Sequence, residues 1–461
     1  MLTTAPRQAI VVVGLGYGDE AKGATVDHLA ATAPDAVAVV RWSGGGQAAH
    51  NVRHGARHHT FRQFGSGTFL DVRTVLRAPM LVDPVLLAAE AHALDAQGVH
   101  DPLGLVLADS RCLVTTPVHA AMNRARELAR GAGRHGSTGL GIGETVAYDL
   151  AVRARAQPGD TVGNFTVPAA APPGPAPTLA TLRDRRRTVA ALDELARYAA
   201  PLLESVDDGD VAHPSVSEMA SLLCAIAADV ELTDDVDRQL ADALDAGTVI
   251  FEGSQGLLLD EWHGFHPHTT WSTVTPRHLV RGLEAAGHRP FVLGLTRTYA
   301  TRHGAGPMPT EDPGLLLPEP DNREGRYQGG WRTGHLDLPA LRYAARVAGR
   351  VDGVAVSHLD AVADAAAAGT PLLVAGSWGG DPEPLAFDAV PDLARAERLT
   401  ATAAGARPDL APLPADPAAV LRLVEDAVGA PVVLTADGPR RTDRARRTAD
   451  CAGRTAPSRA A

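Results

Sequence analysis

The chain has 461 residues, of which 45% are hydrophobic and 21% charged, a balance typical of folded globular proteins that excludes disordered, collagenous and coiled-coil chains. Its length suits about three average domains or one large α/β unit. The formal net charge is −11, from 43 basic and 54 acidic residues, so neither nucleic acid nor an anionic membrane is an expected partner.

Residues 1–7 lead straight into an apolar run and lack the charged start and cleavage site of a signal peptide, which points to a cytoplasmic protein. Short β-branched runs at 10–13, 37–40, 249–251, 291–295, 354–356 and 432–434 each end in glycine or polar residues and read as buried parallel strands. Between them, segments 118–130, 182–205 and 215–244 carry helical spacing. The alternation predicts an α/β fold with a large, mostly parallel sheet flanked by helices, whose ligands sit at the carboxyl ends of the strands. One catalytic domain is expected over 1–445, with surface excursions at about 156–180 and 309–331. The six arginines between Arg440 and Arg454 read as a frayed basic tail, with 446–461 as its disordered end. The uncharged stretch 161–182 is long enough to span a bilayer, but Pro168, Pro172, Pro173, Pro175 and Pro177 make it a loop. Cys112, Cys224 and Cys451 form no C-x-x-C pair, which argues against a disulfide framework or a zinc finger.

Of the 43 basic side chains one, Lys22, is lysine. High genomic GC content explains the arginine bias, and a lysine surviving it marks a place for a compact ammonium rather than a planar guanidinium. It lies in Gly14-Leu-Gly16-Tyr-Gly18-Asp19-Glu20-Ala21-Lys22-Gly23, after the first strand and before a helical segment from Ala24. This predicts a phosphate loop: glycines admit backbone N–H groups to phosphate oxygens, and the helix N-terminus adds positive potential. The pattern is neither Walker A nor G-x-G-x-x-G, and a plain tight turn is the bland alternative. After the second strand, Gly44-Gly45-Gly46-Gln47-Ala48-Ala49-His50-Asn51 suggests another ligand loop, although alone such a histidine is as readily a simple exposed one.

Together these two loops resemble adenylosuccinate synthetase, and the resemblance continues in order through Ser66-Gly67, Ser137-Thr138-Gly139-x-Gly141-Ile142-Gly143, Phe251-Glu252-Gly253-Ser-Gln255-Gly256, Thr301-Arg302-x-Gly304-Ala-Gly306-Pro307, Arg332-Thr-Gly334, Leu359-Asp360 and Gly438-Pro439-x-Arg441. The resemblance implies a P-loop-NTPase-like fold and a homodimer. It also implies a ligase that spends a nucleoside triphosphate, with Mg2+, to phosphorylate the 6-oxygen of IMP and then displaces that phosphate with the amino group of aspartate. By position, Asp19 would take the purine N1 proton and hold magnesium with the Ala49 carbonyl. His50 would serve the oxygens in transit, a role suited to imidazole. Lys22 would neutralise phosphates, with Gly18, Glu20, Ala21, Gly23 and Asn51 around it. Gln47, Thr138, Arg153, Gln255 and Thr270 would hold the acceptor nucleotide, Gln255 serving catalysis as well.

Departures from the family pattern fall at specificity positions. The guanine-reading Thr-Lys-x-Asp is Ser357-His358-Leu359-Asp360, and Gly-Pro-Asp-Arg is Gly438-Pro439-Arg440-Arg441, so the donor is GTP or ATP. The arginine-rich aspartate loop is reduced to Arg326-Tyr-Gln-Gly-Gly-Trp-Arg332, leaving Arg302, Arg326 and Arg332 to hold an amine donor. Leu140 replaces the arginine of the IMP loop, and Val152 stands at the cross-subunit arginine with Arg153 beside it. These changes favour a specialised paralogue condensing aspartate or another amine onto a purine-type nucleotide, with the housekeeping synthetase as the alternative. Two other classes are weighed: a transition-metal site on His263, His266 and His268 or on His54, His58 and His59, and an inactive nucleotide-binding protein. Trp42, Trp262, Trp271 and Trp378 flank glycine loops and either wall a pocket or pack in the core.

Overall fold

The computed structural model describes residues 7–155, 161–162, 165–166, 174–315, 317–319, 321–322 and 325–447. Its frame is a ten-stranded sheet with the spatial order Arg444–Arg446, Val432–Ala436, Gly353–Ser357, Phe291–Arg297, Ala9–Gly14, Thr248–Gly256, Ala36–Arg41, Arg73–Leu76, Val106–Asp109, Glu231–Thr233. All neighbours are parallel except the first pair, where Arg444–Arg446 runs antiparallel to Val432–Ala436. The all-buried Ala9–Gly14 strand lies near the middle, and its side chains alternate between two cores. Val11 and Val13 join helices Val236–Ala246, Arg277–Ala285, Leu338–Ala348 and Pro417–Val428 on one face; Ile10 and Val12 meet Val26, Leu29 and Ala30 of helix Lys22–Thr32 on the other. A third core lies between the short edge strands and helices Pro84–Asp95, Pro117–Arg130, Arg185–Leu203 and Val216–Ala228.

The six strands predicted from β-branched runs are all present, five of them extended by two residues and Thr248–Gly256 by six. Three strands toward one end of the sheet, Arg73–Leu76, Val106–Asp109 and Glu231–Thr233, escaped prediction because they are three or four residues long. The segment 215–244 is two helices rather than one. Ser215 and Glu218 form a capping box that starts Val216–Ala228, Asp235 caps Val236–Ala246, and the Glu231–Thr233 strand lies between them.

The expected frayed tail from Arg440 is corrected. Arg441 forms a two-pronged ion pair with the buried Asp27 of helix Lys22–Thr32, with Nε donating to Oδ2 at 2.7 Å, and Arg444–Arg446 adds an edge strand. Of the expected disordered end 446–461, residues 448–461, with Cys451, lie outside the described residues, as do parts of both predicted excursions. The described part of 309–331 lies partly over the site, since Asn322 and Gln328 line the central cavity.

Candidate active site

The first glycine loop leaves the carboxyl end of the Ala9–Gly14 strand. Gly18 adopts φ of 113°, a conformation that costs other residues strain, and Ala21 turns the chain into helix Lys22–Thr32 at φ of 59°. Lys22 is 2% exposed, and its Nζ donates to the Gly18 carbonyl at 2.6 Å and lies 3.4 Å from Glu20 Oε2. Glu20 in turn accepts from the Gly18 amide at 2.8 Å and lies so close over Gly14 that a Cβ there would meet Oε2 at 2.0 Å. A carboxylate therefore occupies the concave side of the loop beside the lysine, where an anion is electrostatically welcome.

His50 opens the hairpin His50–His54/Arg57–Phe61 and packs on the first turn of the same helix, where a Cβ on Gly23 would come within 2.7 Å of the His50 Cβ. Its Nδ1 is 2.6 Å from Glu252 and its Nε2 3.1 Å from the Ser254 carbonyl. Both ring nitrogens thus face acceptors, which suits the protonated ring, while burial pushes the imidazole pKa down and Glu252 pulls it back. Burial opposes the charge on Glu252, but His50, Arg41 and the hydrogen bonds from His50 and Ser66 outweigh it and hold the carboxyl at about 2. Arg41, fully buried, donates to the Phe64 carbonyl and to Ser254 Oγ, each at 3.1 Å, which fixes the Ser254 segment. The framing residues Glu252, Arg41 and Ser254 were missed as functional residues, although a glutamate inside the apolar Val249-Ile-Phe-Glu252 run was a signal, because a buried charge must find a partner.

A cavity of about 280 Å³ opens at these strand ends, and its lining includes Asp19, His50, Gln47, Thr138, Gln255 and Thr270. Gly18, Ala49 and Arg302 also reach it. Both amide atoms of Gln255 and the Gln47 Oε1 are buried without partners, and Gln47 Nε2 is 3.5 Å from Thr270 Oγ1. These amides suit the polar edge of a base. Burial raises the Asp19 pKa, with His303 and then Arg297 pulling it back, which moves this carboxylate toward a neutral-pH base. Asp19 makes no hydrogen bond or ion pair to another described residue, and the Ala49 carbonyl shares its cavity. One free carboxylate and one carbonyl are hard oxygen donors of the kind magnesium takes alongside phosphate oxygens and water.

Other predicted residues lie elsewhere. Asn51 accepts from Thr60 Oγ1 at 2.7 Å within the hairpin. His358, at φ of 60°, has a pKa lowered far by burial, so its Nε2 accepts from Arg297 Nη2 at 2.7 Å. Leu359 donates to the Ala436 carbonyl at 3.1 Å, which places Asp360 and Gly438 at adjoining strand ends; Asp360 Oδ1 is buried without a partner, and burial raises its pKa. Arg153 is exposed and pairs with Asp149 at 2.7 Å, away from the cavity.

The three amine-loop arginines are not gathered into one pocket. Arg302 donates to the carbonyls of Ala305, Pro307 and His268 at 2.9–3.0 Å. Arg332 is held by Glu311 and by the Gly304 and Gly306 carbonyls, both at 2.8 Å. Arg326 is bound by Asp208 and Asp210 outside the cavity. The cavity wall there instead carries His135, His268, His303 and Gln328. Of the four tryptophans that flank glycine loops in the sequence, Trp271 lines the cavity and Trp42 is fully buried. Among the described residues, no group of three or more His, Cys, Asp or Glu side chains is arranged to hold a metal ion, the predicted histidine clusters included. Nor is any described helix long and apolar enough to cross a membrane.

The adenylosuccinate synthetase family model matches residues 11–445. Adenylosuccinate synthetase of Nitrosospira multiformis is 34% identical over 363 residues, 76% of each chain. Adenylosuccinate synthetase 2 of Chromobacterium violaceum is 31% identical over 459 residues, 94% of this chain and 97% of that one. In fold, the fully ligated adenylosuccinate synthetase of Plasmodium falciparum superposes with a TM-score of 0.73 at 17% identity, covering 96% of this chain and 100% of that one. The succinoaminodeoxyadenylate synthetase of cyanophage S-2L, bound to dGMP and dATP as an energy donor, gives 0.58 at 18% identity, covering 95% of each. With two glycine loops, a carboxylate and a framed histidine set at the strand ends of this sheet, the chain belongs to the adenylosuccinate synthetase family of C–N bond-forming, GTP- and Mg2+-using ligases.

Proposed function

We propose that this enzyme phosphorylates the 6-oxo group of IMP or a related nucleotide and condenses there an amine other than aspartate, as a specialised member of its family. The observation that carries the reading is the commitment of Arg302, Arg326 and Arg332 to carbonyls and to Glu311, Asp208 and Asp210. Aspartate brings two carboxylates, each best matched by a bidentate guanidinium, and the arginines that line the cavity are already engaged, Arg126 by Glu144, Arg130 by Glu127 and Arg302 by three carbonyls.

In the first half-reaction Asp19 accepts the N1 proton, so that electron density moves to the 6-oxygen. Gln255, Gln47, Thr138 and Thr270 hold the acceptor, and Arg153, exposed on its helix, serves the acceptor site of a second copy of the chain in a homodimer. Lys22 neutralises the phosphates, and His50, fixed by Glu252, donates to the oxygens in transit. Magnesium, when bound at Asp19 and Ala49, supplies charge neutralisation for the phosphates. Asp360 and His358 face the donor base. His358 stands where the family's guanine-reading motif carries a lysine, so ATP joins GTP as a donor. The cyanophage protein with dATP shows that an adenine donor is compatible with this fold. The setting is cytoplasmic.

The housekeeping reading, IMP with aspartate and GTP, has in its favour that the curated relatives cited above are named adenylosuccinate synthetase. Phosphate release with Mg2+, crossing ATP and GTP against IMP and related oxo nucleotides with aspartate, glycine, ammonia or no amine, decides between them. Release on a non-aspartate pairing supports the proposal, and turnover at about 1 per second or faster with IMP, aspartate and GTP overturns it.

A further inference from the structure

His303 has no role in the account so far. It ends the strand Ala300–His303, opposite Trp331 of strand Trp331–Gly334, with the two rings 4.7 Å apart and edge-on. It lines the same cavity as Asp19 and His50. Its environment fixes which nitrogen can act. Arg297 and the Tyr299 hydroxyl, the latter at 2.8 Å, hold the Glu319 carboxylate. Asn322 Nδ2 donates to Glu319 Oε2 at 3.0 Å, so the amide oxygen of Asn322 must face the other way. That oxygen is 3.2 Å from His303 Nε2, which therefore carries the ring hydrogen and donates it. Nδ1 is left as a bare lone pair, buried and without a hydrogen-bond partner among the described residues. The pattern is that of a general base oriented by a hydrogen-bond chain, as a carboxylate orients a catalytic histidine.

We propose that His303 Nδ1 is the base that deprotonates the incoming amine, with Asn322 and Glu319 as positioning residues that hold its tautomer. An amine arrives as R–NH3+ and has no lone pair to attack with. One proton passes to His303 Nδ1, and the freed pair forms the C–N bond at C6. The C6–O bond breaks, and phosphate leaves with that electron pair and takes a second amine proton. The third hydrogen stays on the new C–NH–R group, and His303 returns its proton to solvent. The charged groups around the ring are Asp19 from the first loop, Arg297 from its strand and Glu319 through Asn322.

The inference rests on the ligase chemistry of the proposed function and not on which amine is used. The test compares full-length wild type, His303→Gln and Asn322→Leu, with Mg2+, ATP or GTP, and IMP, using aspartate, glycine and hydroxylamine as nucleophiles. Hydroxylamine is largely unprotonated at neutral pH and needs no base. With an amino acid at pH 7, His303→Gln is expected to lose about 100-fold in kcat and to recover about tenfold per pH unit as the free amine appears. Asn322→Leu is expected to lose about tenfold with the same recovery, and hydroxylamine turnover is expected to stay within about threefold for both. Equal losses with hydroxylamine and amino acid at every pH would assign a structural role and overturn the proposal, as would an unchanged His303→Gln. Ordinary turnover with aspartate overturns the amine reading alone and leaves the pH profiles to judge His303. A wild type silent with every nucleophile overturns the ligase reading and this role with it.

Discussion

The His50 imidazole and the Glu252 carboxylate, 202 positions apart in the chain, meet at 2.6 Å, and the same carboxylate takes the Ser66 amide at 2.9 Å. Glu252→Gln keeps the shape and removes the charge that holds His50. Phosphoryl transfer is expected to fall about 100-fold, read as nucleotide-dependent phosphate release. The pair also leaves a mark on stability. The Glu252 pKa is depressed from 4.5 to about 2, so its contribution is full above the ordinary value and is lost as pH falls through about 2. Chemical denaturation of wild type and Glu252→Gln should therefore converge as pH falls from about 4.5 to 2.

Lys22 is buried, with Nζ on the Gly18 carbonyl and beside Glu20. A planar guanidinium is bulkier than this space admits. Lys22→Arg is accordingly expected to behave like Lys22→Met, with a loss of about 1,000-fold in kcat and an intact circular dichroism spectrum. Substantial activity in Lys22→Arg would mean that charge alone suffices.

Asp27 is 1% exposed and Arg441 is its partner. Arg441→Ala strands a buried carboxylate and is expected to cost about 3 kcal/mol in urea denaturation, whereas pairing it with Asp27→Asn should restore much of that. No measurable loss would return Arg441 to a solvated tail.

Asp337 caps the Leu338–Ala348 helix by accepting from the Ala340 amide at 3.1 Å, yet burial raises its pKa to about 7. A carboxyl raised in the fold contributes fully below its ordinary value, and that stability is lost as pH rises through about 7. Asp337→Asn keeps the cap and should lose none of it. The melting temperature of wild type should therefore fall relative to the variant between about pH 4 and 7, with no further divergence above.

Much of this architecture was legible in the sequence because buried parallel strands are continuous apolar runs, and the glycine loops that follow them fall at the strand ends where parallel sheets bind ligands. Lys22 stood out by composition, and Asp19, His50, Gln255 and Thr138 by motif. What stayed hidden depends on which distant segments meet. Nothing local pairs Asp27 with Arg441, joins His303 to Glu319 through Asn322, or shows that Arg326 is taken by Asp208 and Asp210. Short strands such as Val106–Asp109 carry too few residues for a period to emerge.

In the proposed reaction the oxygen of the acceptor's carbonyl is phosphorylated before the amine displaces it. The most direct measurement uses acceptor nucleotide carrying ¹⁸O in the 6-oxo group, with the donor and amine that release phosphate fastest, followed by mass spectrometry of the phosphate. The account predicts one ¹⁸O in every released phosphate and none left in the aminated product. Unlabelled phosphate, with the label retained on the nucleotide, would show simple nucleotide hydrolysis and contradict it.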